Sequence, residues 1–250
     1  VLNKIISNRI LMKLLGIRPA KVFFAAGGQK VQVNGPIISE NTSIIKCSSS
    51  DYDFFSTNKL KSKSQTYILF LDQYIPYHPD FIQSNYGTNV SADSYYKELR
   101  TVFSKIEKLT NLKVIISAHP KAYYHDKQHL FGNRTIHHNT NSFDLVKNSK
   151  FVLMHYSTSI SMPVLLSIPV IFLSSNNFKN TIGGIYTEKL AQWFETEILD
   201  MNFDVNELES FYAKSHMYKI YINNFLNPNS KKNVVIWDKV SNYIKKNYLC

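Results

Sequence analysis

The sequence is poor in three features that would each have narrowed its class at once. It has only two cysteines, Cys47 and Cys250, too few and too far apart for a disulfide scaffold; this fits a reducing compartment, and the expected location is cytoplasmic. It has no apolar run approaching the roughly 18 residues of a membrane-spanning helix. The opening VLNKIISNRILMKLLGI is amphipathic, interrupted by Lys4, Arg9 and Lys13, and lacks the unbroken apolar core and small-residue cleavage site of a signal peptide. Glycine is scarce, and no G-x-G-x-x-G follows a strand-like run, so the dinucleotide fingerprint is missing. Gly183-Gly184 in TIGGIYTEKL reads as a flexible turn near a ligand.

Acidic residues are also in short supply. Twenty-nine Lys and Arg face 18 Asp and Glu over 250 residues, a net charge of +11. Such a balance points to an anionic partner: nucleic acid, anionic lipid, or a phosphorylated or acidic-sugar substrate. The lysines are scattered, with short clusters at 59–64, 231–233 and 245–247, and no nucleic-acid module is recognisable, so nucleic acid is not the expected partner.

What the chain does contain is alternation. Residues 4–15 read as a helix ended by Gly16, and KVFFAAGG and TSIIKCSS as two short strands separated by the turn-rich NGPIISEN. After a polar stretch at 59–65 come a strand at 66–73 and a helix capped by Ser91 or Asp93. That helix carries an apolar stripe through Tyr95, Leu99, Val102, Phe103 and Ile106. Next are a strand over 112–118, a polar segment to about 140, a short helix capped by Ser142, the strand FVLMHYS, a helix near 160–167 and the strand PVIFLSS. Strand and helix in strict turn predict an α/β fold, a Rossmann-like doubly wound parallel sheet. Beyond residue 186 the pattern is mostly helical, ending in a helix with Ile236, Val240, Tyr243 and Ile244 on one face and Lys239, Lys245 and Lys246 beside them. Peripheral contact with an anionic membrane is one reading of that helix; packing on the domain is the other. The expected division is a partial N-terminal α/β segment at 1–63, a nucleotide-binding domain at 64–185 and C-terminal helices at 186–250.

Open parallel sheets bind ligands beyond the carboxyl ends of their strands. The residues that follow each strand are Asp72-Gln73-Tyr74, His119-Pro120-Lys121 and His155-Tyr156-Ser157-Thr158-Ser159. His119 and Lys121 can donate to a phosphate or carboxylate, and Pro120 holds the preceding residue extended. Ser157, Thr158 and Ser159 lie where hydroxyls and the first backbone N–H groups of a helix would face an anion. Each turn also has a plain structural reading, as a strand end and as an N-cap. Asp72 is the carboxylate best placed for general-base work, with Gln73 and His78 (in a second His-Pro pair) as further candidates. His125, His129, His137 and His138 have no metal-ligand spacing, and no metal site is expected.

VIISAHPK, FVLMHYSTS and SIPVIFL together make residues 66–178 resemble the nucleotide-binding half of bacterial GT-B transferases that use CMP-activated donors. These are the sialyltransferases, the capsule Kdo transferases and the teichoic-acid glycerophosphotransferases. The resemblance implies that His119 and Ser157 to Ser159 contact the donor phosphate or carboxylate, and that the reaction needs neither metal nor cofactor. It implies a metal-independent glycosyltransferase of surface-glycan synthesis that takes a CMP-sugar donor, carrying sialic acid or Kdo, and a glycan or glycolipid acceptor. A glycerol- or ribitol-phosphate transferase, or a non-catalytic nucleotide-binding fragment, are the alternatives. The chain departs from the pattern in having Ser161, Met162 and Pro163 where many relatives place a Glu-Ala that grips ribose, and in lacking the acidic-acidic-Gly motif.

Overall fold

The computed structural model describes residues 14–32, 37–60, 65–79, 90–138, 140–201, 208–228 and 235–248. Most of the helix expected over 4–15 and most of the polar stretch at 59–65 fall outside them. The chain forms two compact units, one of residues 1–59 with 220–250, the other of residues 60–219.

In the first unit, β1 (Val22–Ala26) and β2 (Ser43–Cys47) pair in parallel, Val22 opposite Ser43 and Ala26 opposite Cys47. Helix α1 (Ser50–Thr57) follows, its first turn closed by the Ser49 hydroxyl, which accepts from Tyr52 N. Gly27 sits at φ +74°, and a Cβ there would lie 2.1 Å from the Asn224 carbonyl oxygen, so only glycine admits this crossing of the two ends of the unit. The buried Asp53 carboxylate joins the same ends, accepting from the Ser48 hydroxyl at 2.5 Å and from the Ile236 amide at 2.7 Å.

The second unit is built on a six-stranded sheet, all parallel: β3 (Tyr67–Leu71), β4 (Val114–Ser117), β5 (Ile136–His137), β6 (Ser149–Met154), β7 (Val170–Ser174) and β8 (Leu199–Asp200). Their spatial order is β5-β4-β3-β6-β7-β8. Counted within the unit this is 3-2-1-4-5-6, the order of doubly wound nucleotide-binding sheets, and the expected fold class is the observed one. The central strands are apolar on both faces, as burial between two helical layers requires.

Helix α2 (Ala92–Thr110) starts at Ser91, whose hydroxyl accepts from Ser94 N, and ends at Asn111 in the left-handed conformation. Tyr95, Leu99, Val102, Phe103 and Ile106, spaced three and four apart, are fully buried against Phe70 and Ile116 of the sheet. Each such side chain contributes about 1.5–3 kcal/mol by leaving water. Short helices α3 (Ser142–Val146) and α4 (Ser161–Leu166) complete the crossovers before and after β6. The cap of α3 is Asn141, one residue before the expected Ser142.

Helix α5 (Ile182–Trp193) corrects the reading of Gly183-Gly184 as a flexible turn. Both glycines are buried in its first turn. A Cβ on Gly184 would lie 2.2 Å from the Phe178 carbonyl oxygen, and one on Gly183 2.9 Å from the rings of Phe178 and Tyr156. Gly184 is glycine because backbone meets backbone there, and Gly183 because two aromatic rings close on it. After β8 come a 3-10 turn (Leu208–Phe211), α6 (Ser215–Tyr221) and α7 (Ile236–Tyr248). Of the apolar face expected on α7, Ile236, Val240 and Tyr243 are half-buried and Ile244 is exposed.

Candidate functional site

The strand order reverses between β3 and β6, and in such sheets the crevice at the reversal receives the ligand. The residues following these strands and β4 therefore decide what the crevice can hold. The residues expected there from sequence follow three adjacent strands, in the order β4, β3, β6.

After β3 the chain turns at once. Tyr74 adopts φ +55°, a left-handed conformation that a tyrosine holds only when its surroundings impose it. The imposing group is Asp72. Its Oδ1 accepts from the Tyr74 amide at 2.9 Å, and the turn continues through a 3-10 segment (Ile75–Tyr77) to His78. The Asp72 carboxylate does not face the rim: it is buried, and its Oδ2 accepts from the Tyr124 hydroxyl at 2.8 Å and the His119 amide at 3.4 Å. Burial pushes its pKa up from the usual carboxylate range, while the donors from Tyr74, Tyr124, His119 and Gln73 oppose that rise. Gln73 is buried beside it, and its Oε1 has no hydrogen-bond partner among the described residues.

After β4 the chain passes through Ala118 to His119 and Pro120. The His119 ring is half-buried, and its Nδ1 accepts from the Lys121 amide at 3.1 Å, which in the neutral ring places the proton on Nε2. The two His-Pro pairs, 41 positions apart in sequence, meet here. The His78 and His119 rings pack edge to face with centroids 4.8 Å apart. Sequence order gave His78 no more than secondary rank, because it follows a loop rather than a strand. Its partner is set by a contact between two loops, which no local pattern records.

After β6, His155 leads into the serine turn. Ser157 caps a 3-10 segment (Thr158–Ile160), its hydroxyl accepting from the Ser159 amide at 3.1 Å. Thr158 is exposed, and Ser157 and Ser159 are half-buried. Ser161 turns its hydroxyl back to the Thr158 carbonyl at 3.0 Å. His155 is a core residue. Its Nδ1 lies 2.8 Å from the Leu173 carbonyl, so it carries the proton, and Nε2, 2.8 Å from the Tyr95 hydroxyl, accepts. Complete burial lowers its pKa to about 4, so the ring is neutral.

A wall of aromatic rings supports the first two turns. Tyr124 meets Tyr74 and Phe131 edge-on at 5.3 and 5.2 Å, and Tyr77 stacks on Tyr96 at 6.2 Å. The Tyr96 and Tyr124 hydroxyls are 3.1 Å apart. Among the described residues no three His, Cys, Asp or Glu side chains are grouped so as to hold a metal ion. No helix among them is long and apolar enough to cross a membrane.

No family model matches the sequence, and no curated protein matches it. Among solved structures, UDP-GlcNAc 2-epimerase from Methanocaldococcus jannaschii superposes with a TM-score of 0.44 at 12% identity, covering 98% of this chain and 74% of that one. The same enzyme in complex with UDP-GlcNAc and UDP gives 0.38 at 14% identity, over 87% of this chain and 72% of that one. Phytolacca americana UGT2 complexed with UDP-2fluoro-glucose and pterostilbene gives 0.36 at 9%, over 96% of this chain and 50% of that one. Overlaps this loose support no transfer of residue roles. The fold class stands on the strand order itself.

Proposed function

We propose that the carboxyl edge of the β3–β6 crevice binds the phosphate of a nucleotide-activated sugar, and that the chain is part of a glycosyltransferase using a CMP-activated acidic sugar such as sialic acid or Kdo. The observation that carries this reading is the position of three polar turns at the reversal of strand order. One bears His78, the second His119 with Pro120 and Lys121, and the third Ser157, Thr158 and Ser159. Strands are spaced about 4.8 Å apart, so the His119 turn and the serine turn, two strands apart, stand on the order of 10 Å from each other on either side of the β3 turn.

In the forward reaction the acceptor hydroxyl of a glycan or glycolipid attacks the anomeric carbon. The bond from that carbon to the CMP phosphate breaks, and the hydroxyl proton passes to solvent or to the departing phosphate. Negative charge grows on the departing phosphate. The imidazole N–H of His119, the Lys121 ammonium and the hydroxyls of the serine turn are donors at the place where that charge appears, the arrangement that lowers a barrier most. Docking on an anionic membrane surface belongs to the same reading, since it would bring a basic protein to a lipid-linked acceptor.

Calorimetric titration of CMP, UDP, ADP and GDP into the full chain and its His119→Ala variant tests this. CMP should bind selectively and the variant should lose it. If none of the four binds, or His119→Ala binds as the parent does, the His-Pro turn is only a strand end and the assignment falls.

A further inference from the structure

We propose that Asp72 and Tyr124 are positioning residues that fix the two His-Pro turns against each other; the inference rests on the phosphate-site reading above and assigns that site its internal scaffold. The two turns leave different strands, and each has its own route across the sheet edge. The edge-to-face packing of the two histidine rings contributes about 0.5–1.5 kcal/mol to their register.

Asp72 ties the two turns through groups other than the rings. Oδ1 holds its own loop through the Tyr74 amide, locking Tyr74 in the left-handed conformation that turns the chain toward His78. Oδ2 holds the neighbouring loop twice, through the His119 amide and through the Tyr124 hydroxyl five residues further on. A carboxylate accepts only, so Tyr124 donates to it, and Tyr96 then donates to Tyr124. The result is a directed chain from helix α2 to the loop junction: Tyr96 to Tyr124 to Asp72. Its three side chains are buried, and they leave the carboxylate facing protein donors on both oxygens. A general base needs one oxygen presented to an acceptor hydroxyl. A strut needs both held, as here. The same donors spread the negative charge of Asp72, which would otherwise oppose a phosphate bound at His119.

The test uses the full chain and two readouts. One is the affinity for CMP by calorimetry. The other is the ring cross-peaks of His78 and His119 in 13C-histidine NMR spectra without nucleotide. Tyr124→Phe keeps the ring and removes only the hydroxyl. It should shift both histidine ring signals and weaken CMP binding about tenfold, the loss of one hydrogen bond to a charged group. Tyr96→Phe, one link further away, should act in the same direction by about two- to threefold. Tyr123→Phe, at the exposed neighbouring ring, should change neither readout. A folded Tyr124→Phe with wild-type histidine signals, or with unchanged CMP affinity where the parent binds CMP, overturns the proposal. If the parent binds no nucleotide, the phosphate-site reading fails while the histidine spectra still decide the scaffold. If Tyr124→Phe does not fold, Asp72→Asn decides on the same readouts, and unmoved histidine signals in that variant sink the idea.

Discussion

His155 offers the sharpest perturbation of the second unit, because its environment makes a signed prediction about pH. The ring is fully buried, edge-on to Phe70 at 5.8 Å and against Phe178 at 4.7 Å, and burial depresses its pKa from 6.5 to about 4. In the unfolded chain the same ring takes up a proton near 6.5. Between these values the unfolded state binds more protons than the folded one, so folding stability contributed by this group is complete above pH 6.5 and is lost as the pH falls toward 4. The integrated loss between pH 7.5 and 4.5 is about 2.5 kcal/mol, from 1.36 kcal/mol per pKa unit. The chain has two tryptophans, Trp193 in the second unit and Trp237 in the first, so a Trp237→Phe background leaves fluorescence that reports on the second unit alone. Urea melts at pH 7.5, 6.0 and 4.5 should be compared between that background and the same chain carrying His155→Gln. Glutamine cannot titrate. It should cost about 2–3 kcal/mol at pH 7.5, by unsettling the bonds to Leu173 O and the Tyr95 hydroxyl. The gap between the two proteins should then narrow by about 2.5 kcal/mol at pH 4.5. Asp72, whose pKa is raised by burial, contributes with the opposite sign as the pH rises above 3.8, but it is present in both proteins and cancels. Parallel loss of stability in the two proteins would refute the neutral-core assignment of His155.

Gly184→Ala should destabilise the second unit by about 3 kcal/mol, a fall in Tm of roughly 10 °C by circular dichroism. The new methyl group would meet the Phe178 carbonyl and the Lys179 backbone, neither of which is a flexible side-chain end. Asp53→Asn should weaken the tie between α1 and the start of α7 by about 1 kcal/mol. Hydrogen exchange should register this as roughly fivefold faster opening of the first-turn amides of α7, with the second unit unaffected.

The parts of the fold carried by long periodic segments were legible in the sequence. The α2 stripe and the strands β3, β4, β6 and β7 are each four residues or longer and set by local spacing. The edge strands β5 and β8 were not. Each contributes two residues, Ile136–His137 and Leu199–Asp200, and a two-residue ladder has no period to detect. His137, in the stretch expected as a polar segment to about residue 140, is half-buried in β5. At the candidate site the positions were legible and the roles were not. A strand end in an α/β chain locates Asp72, Gln73, His119 and Ser157 along one edge. The inward turn of Asp72 depends on a hydroxyl 52 residues away, and the meeting of His78 with His119 depends on two loops closing together. Both are tertiary facts. His155, adjacent to the serine turn, shows the converse, since only the depth of β6 and the Leu173 carbonyl on the next strand make it a core residue.

The second unit is a continuous stretch, 60–219, whereas the first is assembled from the two outer portions of the chain. On the ribosome this imposes an order of events. The six-stranded unit has all its residues once Lys219 has emerged. The β1–β2 pair, made before that unit, must wait for residues 220–250 before Gly27 can close on Asn224 and Asp53 can reach Ile236. A two-stranded sheet alone is marginal in water. At 5–20 residues per second, Phe23, Phe24, Ile44 and Ile45 spend roughly 10 to 40 s as half-finished apolar surface. Strands made before the six-stranded unit are secured only after it, and they are where newly made chains would engage a chaperone.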